Sequence, residues 1–267
     1  IHKGFTKYTP TTGIPELKQL ICEKFKKENN LDYTGSQVVV SCGAKHSIFN
    51  ALLVLLNRGE EVLIPSPYWV SYPEMVALCE GKPRFIETSH QFNFKINPKE
   101  LKKYITPRTK LIILNSPSNP TGCVYTPEEL KAIAKIAVEK NIFVLSDEIY
   151  EKLIYDNLKH NSIASFGKDI YDLTITVNGL SKSFSMTGWR IGYLGAPRDI
   201  AEAVSRLQDH STSNPASISQ KAAVAALSAP DDFAKNMCKE FQKRRDYCIE
   251  RLARIKKLVY VLPQGAF

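Results

Sequence analysis

Two side chains able to do covalent and anion chemistry, Lys182 and Arg190, stand eight residues apart in the stretch Val177-Asn178-Gly179-Leu180-Ser181-Lys182-Ser183-Phe184-Ser185-Met186-Thr187-Gly188-Trp189-Arg190-Ile191-Gly192. The lysine follows an apolar run at 173–177 on a turn of small residues, and the arginine precedes a second apolar run at 191–196. A lysine at a strand end in a closed pocket can lose its proton and attack a carbonyl, which is Schiff-base chemistry. A nearby arginine can hold a phosphate with its rigid fork of donors. A lysine and an arginine at this spacing are usually solvated surface charges. The flanking strands, and further residues along the chain, favour the chemical reading.

A carboxylate joins the set. Residues 142–145 form a continuous apolar run, as a buried parallel strand does, and lead into Ser146-Asp147-Glu148-Ile149-Tyr150. An acid at the carboxyl end of such a strand is costly unless a cation meets it. Three loops extend the constellation. Gly43, Ala44 and Lys45 follow the β-branched strand 37–41 and open a helix, where backbone N–H groups and the helix dipole favour an anion. Trp69 lies in the aromatic loop 66–73, where it is either a stacking wall or rim packing. Asn119 lies in the turn 115–122 after strand 111–114; a turn asparagine can also simply satisfy its own backbone.

The elements that must position these residues alternate. Strands are expected at 37–41, 61–65, 85–87, 110–114, 142–145, 173–177 and 191–196. Helices are expected from residue 17 and at 44–56, 126–140, 199–208, 216–228 and 233–257; Thr126, Glu128 and Glu129 give a good N-terminus. This is an α/β pattern with a mainly parallel sheet between helix layers. At 267 residues the chain can bury one large core, or one domain and part of another. The longest apolar stretch, 48–56, is too short to span a bilayer. The first residues do not read as a signal peptide. Six cysteines without a CxxC pair indicate neither a disulfide framework nor a metal site, and point to a reducing, cytoplasmic setting. The net charge of +9 comes from lysines dispersed over helix-like segments, which reads as solvated faces and not a nucleic-acid patch. The five histidines show no ligand spacing and receive no role.

The motif Gly179-Leu180-Ser181-Lys182 followed by Gly188-Trp189-Arg190, with Asn119-Pro120-Thr121-Gly122 and Asp147-Glu148-Ile149-Tyr150 upstream, resembles the class I aminotransferases of pyridoxal phosphate (PLP) fold type I. The resemblance covers essentially the whole chain. It implies the PLP-binding large domain at 1–249 and the start of a small C-terminal domain at 250–267, with the rest of that domain and an N-terminal arm outside these residues. It also implies a homodimer with shared active sites. In this reading Lys182 carries the cofactor and acts as general base. Asp147 keeps the pyridine nitrogen protonated, Asn119 and Tyr150 donate to the 3-oxygen, and Trp69 stacks on the ring. Arg190 and the turn Gly43, Ala44 and Lys45 hold the phosphate, and Tyr8 reaches the phosphate of the neighbouring subunit.

For substrates, the segments at 43–45, 66–75 and 263–267 look closest to aspartate and aspartate/prephenate aminotransferases, whose second carboxylate Lys45 could meet, with Asn119 and Trp69 also facing the substrate. The expected reaction transfers an amino group from aspartate to 2-oxoglutarate, with prephenate as a further acceptor. Alternatives sharing the core residues are an aromatic, kynurenine or alanine aminotransferase and a carbon–sulfur lyase. A PLP-sensing domain of a transcription regulator is the non-enzymatic alternative.

Overall fold

The computed structural model describes residue 2 and residues 4–267. Among the described residues seven strands form one sheet: β1 (Val38–Ser41), β2 (Glu61–Ser66), β3 (Lys82–Glu87), β4 (Thr109–Asn115), β5 (Phe143–Asp147), β6 (Thr174–Gly179) and β7 (Gly192–Gly195). Their order is β1-β7-β6-β5-β4-β2-β3, and all run parallel except β7, which is antiparallel to both neighbours. The expected mainly parallel sheet is therefore present. The central strands are buried along nearly their whole length. Burial on both faces explains why they read as unbroken apolar runs and not as alternating ones.

Among the described residues there are ten α-helices: α1 (Pro15–Asn29), α2 (Ala44–Leu55), α3 (Ser71–Leu78), α4 (Pro98–Leu101), α5 (Pro127–Lys140), α6 (Lys168–Tyr171), α7 (Leu180–Ser183), α8 (Arg198–Asp209), α9 (Ser217–Ser228) and α10 (Asp232–Leu252). On one face α2, α3 and α8 pack Ile48, Leu52, Val76 and Val204 against Val39, Ile113, Leu145 and Val177. On the other, α4 and α5 pack Leu101, Leu130, Ile133 and Ala137 against Ile112, Leu114 and Val144. A third cluster joins α1 and α9 to β1 and β7 through Leu17, Ile21, Phe25, Val40 and Ala223. Helix starts follow local chemistry: Thr126 accepts from the Glu129 N–H while the Glu129 side chain accepts from the Thr126 N–H.

One helix is shorter than expected. The charge-rich pattern to residue 257 predicts a helix to that point, but α10 ends at Leu252. Among its residues only Ala234 is buried, so no core contact holds the last turns in place. The final residues return to the body of the protein: the Gln264 and Gly265 N–H groups donate to the Gly122 carbonyl, and the Ala266 N–H to that of Leu153.

Register places the chemistry. Asn115 pairs with Asp147, and Asp147 with Val177, so β4, β5 and β6 end together. Gly192, at the start of β7, pairs with Gly179 on one side and Ser41 on the other. Because β7 is reversed, its first residue meets the last residues of β1 and β6. The segments carrying Gly43, Lys182 and Arg190 thus converge on one edge of the sheet.

Candidate active site

Close backbone approach at that edge depends on residues without side chains. A Cβ on Gly192 would overlap the Ala44 backbone nitrogen, and one on Gly179 would lie 3.0 Å from both Gly192 Cα and the Ile191 carbonyl. Gly43 adopts φ +94°, open to glycine at little cost, and a Cβ there would overlap the Arg190 guanidinium. Arg190 is itself in the left-handed region at φ 53°. Its Nη1 donates to the Thr187 carbonyl at 2.7 Å and its Nη2 to that of Cys42 at 3.4 Å. The guanidinium is thereby fixed beside Gly43, the residue that caps the N-terminus of α2, whose dipole also favours an anion. Together they form an anion cradle.

A cavity of about 300 Å³ opens from this cradle, lined among others by Ala44, Lys45, Trp69, Tyr72, Asn119, Asp147, Tyr150, Lys182 and Arg190. The structure therefore brings together eight of the ten residues singled out in the sequence as lining, and Gly43 stands directly behind Arg190. Tyr8 is the exception: it is 88% exposed and does not line the cavity.

Lys182 sits on the single turn α7, with its Nζ 4.5 Å from the Phe267 ring centroid and 5.4 Å from that of Tyr150. Burial lowers its pKa below the ordinary lysine value, against the opposing pull of Asp147. Asp147 is buried, and this raises its pKa to about 6. The Tyr72 hydroxyl, donating to Oδ2 at 2.6 Å, and the Ile149 N–H, donating to Oδ1 at 3.2 Å, work against that rise, while the charge of Glu148 adds to it. Tyr72 remains a donor, because burial and then the Asp147 charge hold its own pKa well above the usual phenol. Burial, followed by the charge of Asp147, pushes Tyr150 up to about 12.

Orientation comes from neighbouring amides and rings. Asn119 Nδ2 donates to the Tyr150 hydroxyl at 3.4 Å, and the Asn119 N–H to Asn115 Oδ1 at 2.8 Å. Asn115 in turn donates to the Asp147 carbonyl at 2.9 Å, tying the 115–122 turn to the end of β5. Trp69 stands edge-on to Tyr72 at 5.3 Å, and the Lys45 ammonium lies 4.8 Å from the Trp69 ring centroid. Sequence reasoning gave no role to Tyr72, Asn115, Ser181 or Thr187, all of which line the cavity. Nothing in the sequence sets Tyr72 apart within the aromatic loop; the turn in which its N–H donates to the Trp69 carbonyl at 3.0 Å shows only in the structure.

These groups suit one kind of ligand: an anion at the Arg190 cradle, a flat ring against Trp69, a cation facing buried Asp147, and a carbonyl within reach of a desolvated lysine.

Comparison with known proteins agrees. The model of the family "Aminotransferase class I and II" matches residues 1–267. An aspartate aminotransferase of Bacillus sp. (strain YM-2) is 51% identical over 267 residues, covering all of this chain and 68% of that protein. An aspartate/prephenate aminotransferase of Cereibacter sphaeroides is 47% identical over 268 residues, covering all of this chain and 67% of that protein. The crystal structure of an aspartate aminotransferase from Rhizobium meliloti superposes with a TM-score of 0.98 at 43% identity, again over the whole chain and 67% of its own. A desolvated lysine, a buried carboxylate and an arginine-backed anion cradle in one cavity, within a chain matched along its full length, identify this protein as a member of the class I and II aminotransferase family.

Proposed function

We propose that the protein is a PLP-dependent aspartate aminotransferase that passes the amino group of aspartate to 2-oxoglutarate, with prephenate as a second acceptor. The observation that carries the reading is that Lys182 and Asp147 line one cavity with Lys45 at its exposed side. Lysine and aspartate supply the transamination chemistry, and the Lys45 ammonium offers a partner for a substrate's second carboxylate. The names of the relatives, aspartate and aspartate/prephenate aminotransferase, support the same substrates.

Bound PLP supplies a carbonyl for Schiff-base formation and an electron sink for the pair released at the substrate Cα. Arg190 and the backbone of Gly43, Ala44 and Lys45 would hold its phosphate, Trp69 its ring face, Asn119 and Tyr150 its ring oxygen, and Asp147 its protonated ring nitrogen. Lys182 is held by burial in a state that releases its proton readily, so Nζ is available first as nucleophile and then as base. As base, Lys182 Nζ takes the proton from the substrate Cα and later gives it up again. Tyr72 favours the ionised form of Asp147, which is the form that can face a cation.

Three further assignments belong to this reading. Tyr8, exposed on its own chain, reaches the phosphate held by a second copy in a homodimer. Residues 250–267 begin the small domain that follows the large domain at 1–249. The enzyme works in the cytoplasm, where its six free cysteines stay reduced. Among the described residues no helix is long and apolar enough to cross a membrane.

The test is the visible spectrum of the full-length protein with PLP, before and after adding aspartate. The expected result is a band from lysine-bound cofactor that aspartate bleaches to the amine form and 2-oxoglutarate restores. A band indifferent to aspartate would reject the substrate, and a band surviving in Lys182→Ala would reject the lysine.

A further inference from the structure

Directly behind Asp147 lies a second set of charged side chains that the reaction does not use. Side chains alternate across a strand, so Asp147 faces the cavity while its neighbours Ser146 and Glu148 face the other way. There the Glu148 carboxylate, almost fully buried, accepts four hydrogen bonds. Oε1 receives Ser146 Oγ at 2.8 Å and Ser162 Oγ at 2.6 Å; Oε2 receives Asn29 Nδ2 at 3.0 Å and pairs with His160 Nε2 at 2.9 Å. Asn29 also donates to Glu151 at 2.8 Å, and Glu151 is ion-paired with Lys24. The four ionisable side chains are 1% to 8% exposed.

Charge balance assigns the proton. Two buried carboxylates face one ammonium, and among the described residues His160 is the remaining ionisable group in direct contact with them. An unbalanced buried carboxylate is strongly disfavoured. His160 Nδ1 has no hydrogen-bond partner, so the imidazolium leaves one N–H donor unmet, a cost that the contact with Glu148 has to offset. The oxygens and nitrogen of Glu148, Glu151 and His160 lie within 4.8 Å of one another, a spacing that would also suit a metal ion. Lys24 already supplies the cation there. Lys24 also lies 3.7 Å from Glu28, whose charge is met by Lys152 at 2.6 Å; Lys152 pairs in turn with Asp231, and the Tyr193 phenol is packed near this group.

We propose that His160 is a positioning residue for Asp147: a buried imidazolium whose charge offsets Glu148, so that a second carboxylate can stand ionised on the opposite face of the same strand end. Burial works against charge on His160, but Glu148 and then Glu151 raise its pKa above the ordinary value. Burial likewise works against the Glu151 carboxylate, and Lys24 and His160 together hold it below the usual range. On the cavity face, Asp147 meets Tyr72, Tyr150 and Lys182, and the nearby charge that opposes its ionisation is that of Glu148. The role of His160 matters for catalysis through the assignment of Asp147 to the ring nitrogen and rests on that assignment; the charge coupling itself does not require it.

The test uses the full-length enzyme freed of PLP. Titration of the Asp147 carboxyl carbon is followed by NMR, with the signal assigned by its loss in Asp147→Asn. His160→Gln should raise the midpoint by about one pH unit, and Glu148→Gln, which removes a negative charge of the same set, should lower it. The double variant restores neutrality and should return the midpoint close to that of the unaltered protein. A residue that only holds the fold together would make the double variant worse than either single one. An unmoved midpoint in His160→Gln, or a double variant without recovery, would overturn the proposal. Should His160→Gln fail to fold, the His160 ring signal in the unaltered protein decides: a midpoint above the ordinary histidine value of about 6.5 supports the assignment, and a midpoint at or below it rejects it. Because these readouts need neither cofactor nor substrate, their failure leaves the aminotransferase reading standing, and the converse also holds.

Discussion

The Tyr72 hydroxyl donates a 2.6 Å hydrogen bond to Asp147 Oδ2 across the floor of the cavity, joining α3 to the end of β5. Both groups are buried, so the bond favours the charged form of the acid where water cannot.

Tyr72→Phe should therefore raise the Asp147 pKa above about 6, since the bond removed is one that lowers it. The acid limb of the pH profile of kcat/KM should move upward by about one unit, with activity near pH 8 less affected. A limb that stays in place would show that Asp147 does not govern it.

Asp147 also carries a cost to the cofactor-free fold. Its folded pKa, about 6, lies above its ordinary value of 3.8, so the native state binds the extra proton between these two values. Stability should then fall as pH rises from about 4 to 6 and level off above, by at most about 3 kcal/mol. Asp147→Asn should remove that slope and raise Tm at pH 7 while weakening PLP binding. Calorimetry of the cofactor-free protein at pH 4.5 and 7 measures both.

At the sheet edge, Gly192→Ala places a Cβ against the backbone nitrogen of Ala44, which cannot swing aside as a side chain would. A loss of about 1–3 kcal/mol of stability is expected, with PLP affinity falling by a larger factor than in an exposed Gly35→Ala control, where the backbone is not left-handed and nothing lies within reach of the added carbon. Chemical denaturation and cofactor titration check the two effects.

Lys45→Leu should raise KM for aspartate at least about tenfold and leave alanine little changed, because a partner for the second carboxylate is lost and the core chemistry is retained. Equal losses for both donors would remove Lys45 from substrate recognition.

Most of the cavity was legible because its residues combine an unusual type with a predictable place: a lysine, an acid and an asparagine just past apolar runs that could only be strands. Tyr72 was not, since a tyrosine in an aromatic loop is ordinary until its partner 75 residues away is known. His160 was passed over for the same reason. Its companions Lys24 and Asn29 come from α1, and no spacing within the chain records that meeting. The true end of α10 was hidden as well, because its charge pattern continues beyond the last residue that anything packs against.

The reversed strand β7 joins β1 to the rest of the sheet, and among the described strands β1 has no other neighbour. Lys182, Asp147 and Arg190 belong to segments on or beside the interior strands, whereas the loop bearing Gly43 hangs from this border strand. Local opening of the border would dissolve the anion cradle and leave the lysine and the acid in place. An anion held between Arg190 and the N-terminus of α2 would act as a clasp on the margin of the sheet. Amide exchange at Val38, Val39 and Val40 should slow when the clasp is closed, reporting occupancy from the far side of a strand that never touches the ligand.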